Sequence, residues 1–151
     1  MISHWTEPDG QAAIEKMGWP EWEDDAGHLR RLRLMDIDGQ AYFFADAVGR
    51  HDRPTTCYDR RVAIALFRDH AREWLLSQRR PITIFTDTYD GQARYCASMM
   101  GMYGAIASLL DDGTWASSLA SCINKFPASF ADYDEALISA IIATDKPLET
   151  T

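Results

Sequence analysis

Two Asp-Gly pairs, Asp38-Gly39 and Asp90-Gly91, each stand between runs of strand-like residues. A two-residue turn whose twist matches its flanking strands needs positive φ at both central residues, and Asp-Gly meets that demand at low steric cost. Each pair therefore predicts a β-hairpin. The first joins Leu29–Ile37 to Gln40–Val48, and the second joins Ile82–Tyr89 to Gln92–Ala97. The turns also share a short pattern, Asp38-Gly-Gln-Ala-Tyr-Phe-Phe-Ala45 against Asp90-Gly-Gln-Ala-Arg-Tyr-Cys-Ala97, which the common turn chemistry accounts for without a duplication.

The remaining segments read as helices. Gln11–Met17 is preceded by Asp9 and Gly10 and stopped by Gly18 and Pro20. Thr56 with Asp59 three residues on resembles a capping box, and the helix it opens runs to about Gln78, ahead of Pro81. Ser98–Leu110, Thr114–Lys125 and a helix from Ser129 or Asp132 to Thr144 follow, separated by Asp111-Asp112-Gly113 and by Phe126-Pro127. The order helix, hairpin, helix, hairpin, three helices predicts an α+β fold in one domain spanning 1–151. Its two β-hairpins form a small antiparallel sheet packed against about five helices.

With 46% apolar residues and 25% charged ones, 151 residues suffice for a hydrophobic core without a metal or disulfide staple. Cys57, Cys96 and Cys122 are odd in number and form no CxxC pair, which fits a reducing cytoplasm better than a disulfide framework. The first residues lack the basic and apolar regions of a secretory leader. The longest uncharged stretch, Tyr95–Leu110, has 16 residues, fewer than the roughly 20 that span a bilayer, and reads as a buried helix rather than a membrane anchor.

Few residues suggest chemistry. His4, His28, His51 and His70 show no metal-ligand spacing, and no cofactor-binding glycine loop or nucleophile elbow is present, so no metal, cofactor or catalytic residue is assigned. On the long helix, His70 and Glu73 fall on the apolar side with Leu66, Phe67 and Trp74, the arrangement of a buried acid/base pair or of a satisfied core histidine. Cys57, at that helix's expected N-terminus with Arg60 and Arg61 in the next turn, is the best nucleophile candidate, although an N-terminal-turn cysteine is more often structural. Gly101-Met-Tyr-Gly104, flanked by Met99 and Met100, reads as a tightly packed core helix or, alternatively, a homodimer face. Ile138, Ile141 and Ile142 add apolar surface, and together these features predict a homodimer.

Charge distribution is more informative. The net charge is -8, made of -6 over residues 1–26, +3 over 27–94 and -5 over 95–151, which disfavours direct specific DNA binding. Glu21, Glu23, Asp24 and Asp25 form an acidic loop that also carries Trp22 and lies close to Trp19 and Trp5. Carboxylates attract a basic target over distance, and tryptophans anchor it once docked. Arg61, Arg68, Arg72 and Arg79 fall within about 40° of one another on an ideal helical wheel, so they form a basic ridge. The ridge is either a solvated face paired with carboxylates of the same chain or a second partner surface.

In size, acidity and absence of motifs, with Trp19, Glu21, Trp22, Glu23, Asp24 and Asp25 as its most distinctive segment, the chain resembles the small inhibitors of phages and mobile elements, notably anti-CRISPR proteins. The resemblance spans the whole chain and is compositional, so no residue inherits a role from it. It implies a non-enzymatic inhibitor of a protein or ribonucleoprotein complex with a basic groove, blocking DNA binding or nuclease recruitment by a CRISPR effector. The alternatives are an immunity protein that neutralises a toxin and a small enzyme using Cys57 or His70 with Glu73.

Overall fold

A computed structural model describes residues 8–23, 25–37, 40–47, 56–57, 60–89, 91–100, 106–117, 127–146 and 148–149, with side-chain surroundings for all of these except 33–37, 40–47, 56–57, 60, 62–63, 89, 117 and 148–149. The chain divides into two compact units, Met1–His70 and Ala71–Thr151.

In the first unit, α1 (Pro8–Met17) opens on a proline, whose missing N–H is no loss in a first turn, and buries Gly10, Ala13, Ile14 and Met17. That spacing of three, four and seven is one face of a helix. Gly18, at φ +73°, ends it in a left-handed conformation that other residues adopt only with strain. Strands β1 (Glu21–Glu23), β2 (Leu29–Ile37), β3 (Gln40–Ala47) and β4 (Thr56–Cys57) then form an antiparallel sheet in sequence order. Ile37 pairs with Gln40, so the strand ends of the first expected hairpin are separated by two residues. The Leu32 N–H donates to the Pro20 carbonyl at 2.9 Å, extending the β1–β2 ladder by one rung beyond Glu21 and Arg31. The helix α2 (Arg60–Leu76) starts in the first unit and ends in the second, and Phe67, Ala71 and Leu75 are buried along it at intervals of one turn.

The second unit contains β5 (Ile82–Tyr89), β6 (Gln92–Met100), β7 (Ile106–Leu109), β8 (Trp115–Ser117) and β9 (Leu148–Glu149), paired in that order, with β8–β9 the parallel pair. Tyr89 pairs with Gln92 around a turn whose Gly91 has φ +76°. One sheet face carries Ile82, Ala97, Met99, Ala107, Leu109 and Trp115, all buried. The helix α3 (Tyr133–Ile142) packs against β5 and β6 and buries Ala136, Leu137, Ile138, Ala140 and Ile141. Asp132 caps α3 by accepting from the Asp134 N–H at 2.8 Å. A 3₁₀ turn, Ala143–Asp145, ends it.

The two hairpins and the mixed α+β character are present, but the arrangement departs from the expected one. Among the described residues there are three α-helices rather than about five, and the hairpins lie in separate sheets of four and five strands. Each hairpin pairs with its own sequence neighbours: β1 and β4 flank the first, and β7 extends the second. The expected helix over Ser98–Leu110 is instead the end of β6 and all of β7. Alternate residues Ala97 and Met99, then Ala107 and Leu109, are buried, a period of two that the exposed apolar pair Met100 and Ile106 on the opposite face disguised. The start of the expected Thr114–Lys125 helix is β8, while residues 118–126, including Cys122, lie outside the described residues, as do Trp5 and residues 101–105 with their glycine pair.

Candidate functional site

The end of α1 and the start of β1 enclose a groove of about 630 Å³ in the first unit. Ile14 and Met17, both buried, and the half-buried Trp19 supply its apolar surface, while Glu15, Glu21, Arg31 and His70 supply its polar one. The sheet register creates the charged pair. Glu21 and Arg31 are directly opposite across β1 and β2, and Arg31 donates to Glu21 Oε1 through Nε at 2.8 Å and through Nη2. With side chains 46% and 36% exposed, Arg31 and Glu21 form a solvated pair worth about 0.2–1 kcal/mol, so the partners can re-pair with an incoming ligand at little cost.

On the other side of the groove, His70 Nε2 lies 3.1 Å from the Gly18 carbonyl. A carbonyl can only accept, so Nε2 carries the proton and the ring is tied to the backbone where α1 ends. Glu73 is exposed and does not line the groove, so the expected inward-facing His70–Glu73 pair is not assembled there. The groove's described lining contains no hydroxyl, thiol or amine to act as a nucleophile. An aromatic face beside an exchangeable ion pair is suited to binding.

The acidic segment is a strand rather than a loop. β1 forms one edge of the four-stranded sheet, with Glu21 and Glu23 exposed and Trp22 half-buried between them. Side chains alternate along a strand, so Trp22 points to the opposite face from Glu21, and Trp19 is the tryptophan that reaches the groove. Asp25 is exposed beyond the strand, and Asp24 lies outside the described residues. Carboxylates on a three-residue edge also discourage unwanted pairing with other strands.

The arginine ridge is shorter than expected. α2 ends at Leu76, so Arg79 is not on the helix with Arg61, Arg68 and Arg72; it lies in the following turn. Arg61 and Arg72 are exposed and Arg68 is half-buried, and all three have interaction partners within the chain. Cys57 is not at a helix N-terminus. It pairs with Phe44 in β4, three residues before α2 starts, because β3 takes up Thr56 and Cys57 as an edge strand.

Cys96 is a buried free thiol. Burial pushes its pKa up from the ordinary value of 9.0, and the Asp87 carboxylate adds to the rise, while Arg94 opposes it. A thiol with a raised pKa in the folded state contributes stability that is complete below its unfolded pKa and lost as pH rises through the folded one. The stability advantage of the native chain over Cys96→Ala is therefore expected to shrink as urea titrations move above about pH 9, and alkylation by iodoacetamide is expected to be slow at pH 8. An advantage that is flat with pH would mean that this thiol ionises alike in the folded and unfolded chain, so that burial does not raise its pKa.

Arg31 was not singled out by sequence reasoning, since its role depends on the β1–β2 register that places it opposite Glu21. Among the described residues, no group of three or more His, Cys, Asp or Glu side chains is arranged to hold a metal ion, and no helix is long and apolar enough to cross a membrane. Comparison with known proteins returns no match to this chain among protein-family models, curated proteins or solved structures.

Proposed function

We propose that this protein is a non-enzymatic inhibitor that binds a protein or nucleoprotein target through its charged surface. The anti-CRISPR form of that reading is blockade of DNA binding or nuclease recruitment by a CRISPR effector complex in a bacterial cytoplasm. The observation that carries it is the meeting of Trp19, Glu21 and Arg31 on one groove beside the acidic β1 edge. A tryptophan next to charges that can exchange partners is the pattern of an interface anchor with an electrostatic rim. The reading gains further support from His70, whose Nε2 proton is committed to a backbone carbonyl rather than to a reacting group. The homodimer expected from apolar C-terminal surface loses that basis, because Ile138 and Ile141 are buried in the second unit's core and Ile142 is half-buried. The inhibitor reading does not need it.

The test is a plasmid-interference assay in cells whose CRISPR system targets the incoming plasmid. Expression of the protein is expected to restore transformation, and Cys57→Ser and Glu73→Gln are expected to restore it equally well. Either substitution, if folded by circular dichroism yet inactive, would turn the search towards a substrate. Failure to protect against any effector type, combined with rescue of cells from a co-expressed basic toxin, would favour the immunity-protein alternative.

A further inference from the structure

A second concavity, of about 350 Å³, lies wholly within the second unit. One wall is the turn after α2, with Gln78, Arg79 and Arg80, and the other is the end of the 3₁₀ turn, with Asp145 and Lys146. Its floor is the cross-strand pair Ile82 and Met99, both buried. Three cationic side chains thus face one carboxylate, in a chain whose net charge is -8.

Cations that follow a helix C-terminus often serve only to complement its dipole or to cap its carbonyls. Here the capping is done by others. The Trp74 carbonyl accepts from Ser77 Oγ at 2.7 Å and from Gln78 Nε2 at 2.9 Å, and the Ile141 carbonyl accepts from Thr144 Oγ1 at 2.8 Å. Among the described residues, the side chains of Arg79, Arg80 and Lys146 make no hydrogen bond or ion pair. All three line the cleft, where Asp145 is the one carboxylate among the described lining residues.

We infer that this cleft binds the phosphate of a small phosphomonoester. A phosphomonoester carries close to two negative charges and three acceptor oxygens, which suits two guanidinium forks and an ammonium better than the single fork a carboxylate requires. The volume is at the lower end of the range for small-molecule sites, so it admits a mononucleotide-sized ligand rather than a duplex. The site is independent of the groove in the first unit and stands or falls without the inhibitor reading.

Isothermal titration of the full chain with adenosine monophosphate, inorganic phosphate and adenosine tests the inference. Saturable binding is expected for the two phosphates and none for adenosine. The double substitution Arg79→Ala, Arg80→Ala on one wall and Lys146→Gln on the other should each weaken binding about tenfold or more, since each removes charge-assisted hydrogen bonds. All three side chains are at the surface, and circular dichroism verifies that the variants fold. Absence of saturable phosphate binding would overturn the inference, as would affinity unchanged in either variant. Binding of unphosphorylated oligothymidylate that strengthens with length while adenosine monophosphate fails would overturn it in favour of a general polyanion surface.

Discussion

Replacing Trp115 by alanine is expected to cost about 3–5 kcal/mol, the range for emptying an aromatic core site. Trp115 is fully buried, lies opposite Leu109 in the β7–β8 pair and beside Leu148 in the parallel β8–β9 pair, and donates its indole N–H to the Ala143 carbonyl at 2.7 Å. One side chain therefore joins the short strands at the end of the sheet to the end of α3. Trp115→Phe separates the two contributions. Most of the apolar contact survives, but the Ala143 carbonyl loses a buried donor, and the expected cost falls to about 1–3 kcal/mol. Since whole domains are stable by only about 5–15 kcal/mol, the alanine variant should show a urea midpoint far below that of the native chain. Equal losses for the two variants would assign the stability to the hydrogen bond, and a negligible loss for alanine would remove β8 from the core.

Trp115 also shows how far the sequence could be read. Asp38-Gly39 and Asp90-Gly91 locate two hairpins to within a few residues because a two-residue turn restricts both dihedrals and register. Asp112-Gly113 carries the same signal. Gly113 has φ +83°, Asp112 accepts from both the backbone N–H and the hydroxyl of Thr114, and the Leu110 N–H donates to the Thr114 carbonyl to close the turn between β7 and β8. Its meaning was obscured because the uncharged run before it reads equally well as a buried helix, and periodicity alone does not separate the two when both faces are apolar or small. The sequence offers Ser129 or Asp132 as the start of the last helix, and Asp132 is the residue that caps α3. What sequence could not supply was pairing over distance. The partition of the hairpins into two sheets depends on which strands meet, and so does the Glu21–Arg31 pair. Lys146 stands opposite Arg79 and Arg80 only after α3 has folded back across β5 and β6.

The acidic edge and the groove lead to the second large effect, and its kinetics distinguish steering from anchoring. Glu21, Glu23 and Asp25 are exposed, so replacing them with amides removes field without removing core, and Asp24 joins the set by its place in the sequence. The quadruple variant is expected to associate with the target about tenfold more slowly at low salt, with most of the difference gone near 0.5 M salt, where charges beyond about 4–5 Å are screened. Loss of the Glu21–Arg31 pair costs the fold no more than about 1 kcal/mol, so the variant should remain folded. Trp19→Ala should act on the other rate constant. A half-buried tryptophan lining a groove is a candidate hot spot worth 2 kcal/mol or more, which corresponds to dissociation about thirtyfold faster with association little changed. Trp22→Ala, on the opposite face of β1, should leave both rates near native. Neutralising Arg61, Arg68 and Arg72 to Gln provides the comparison surface, where the existing partners within the chain imply a loss of stability before any loss of binding. Surface plasmon resonance against the purified target over a salt series reads all four. If the arginine variant abolishes binding while folded and the acidic variant binds with native kinetics, the interface lies on α2 and the groove has another role.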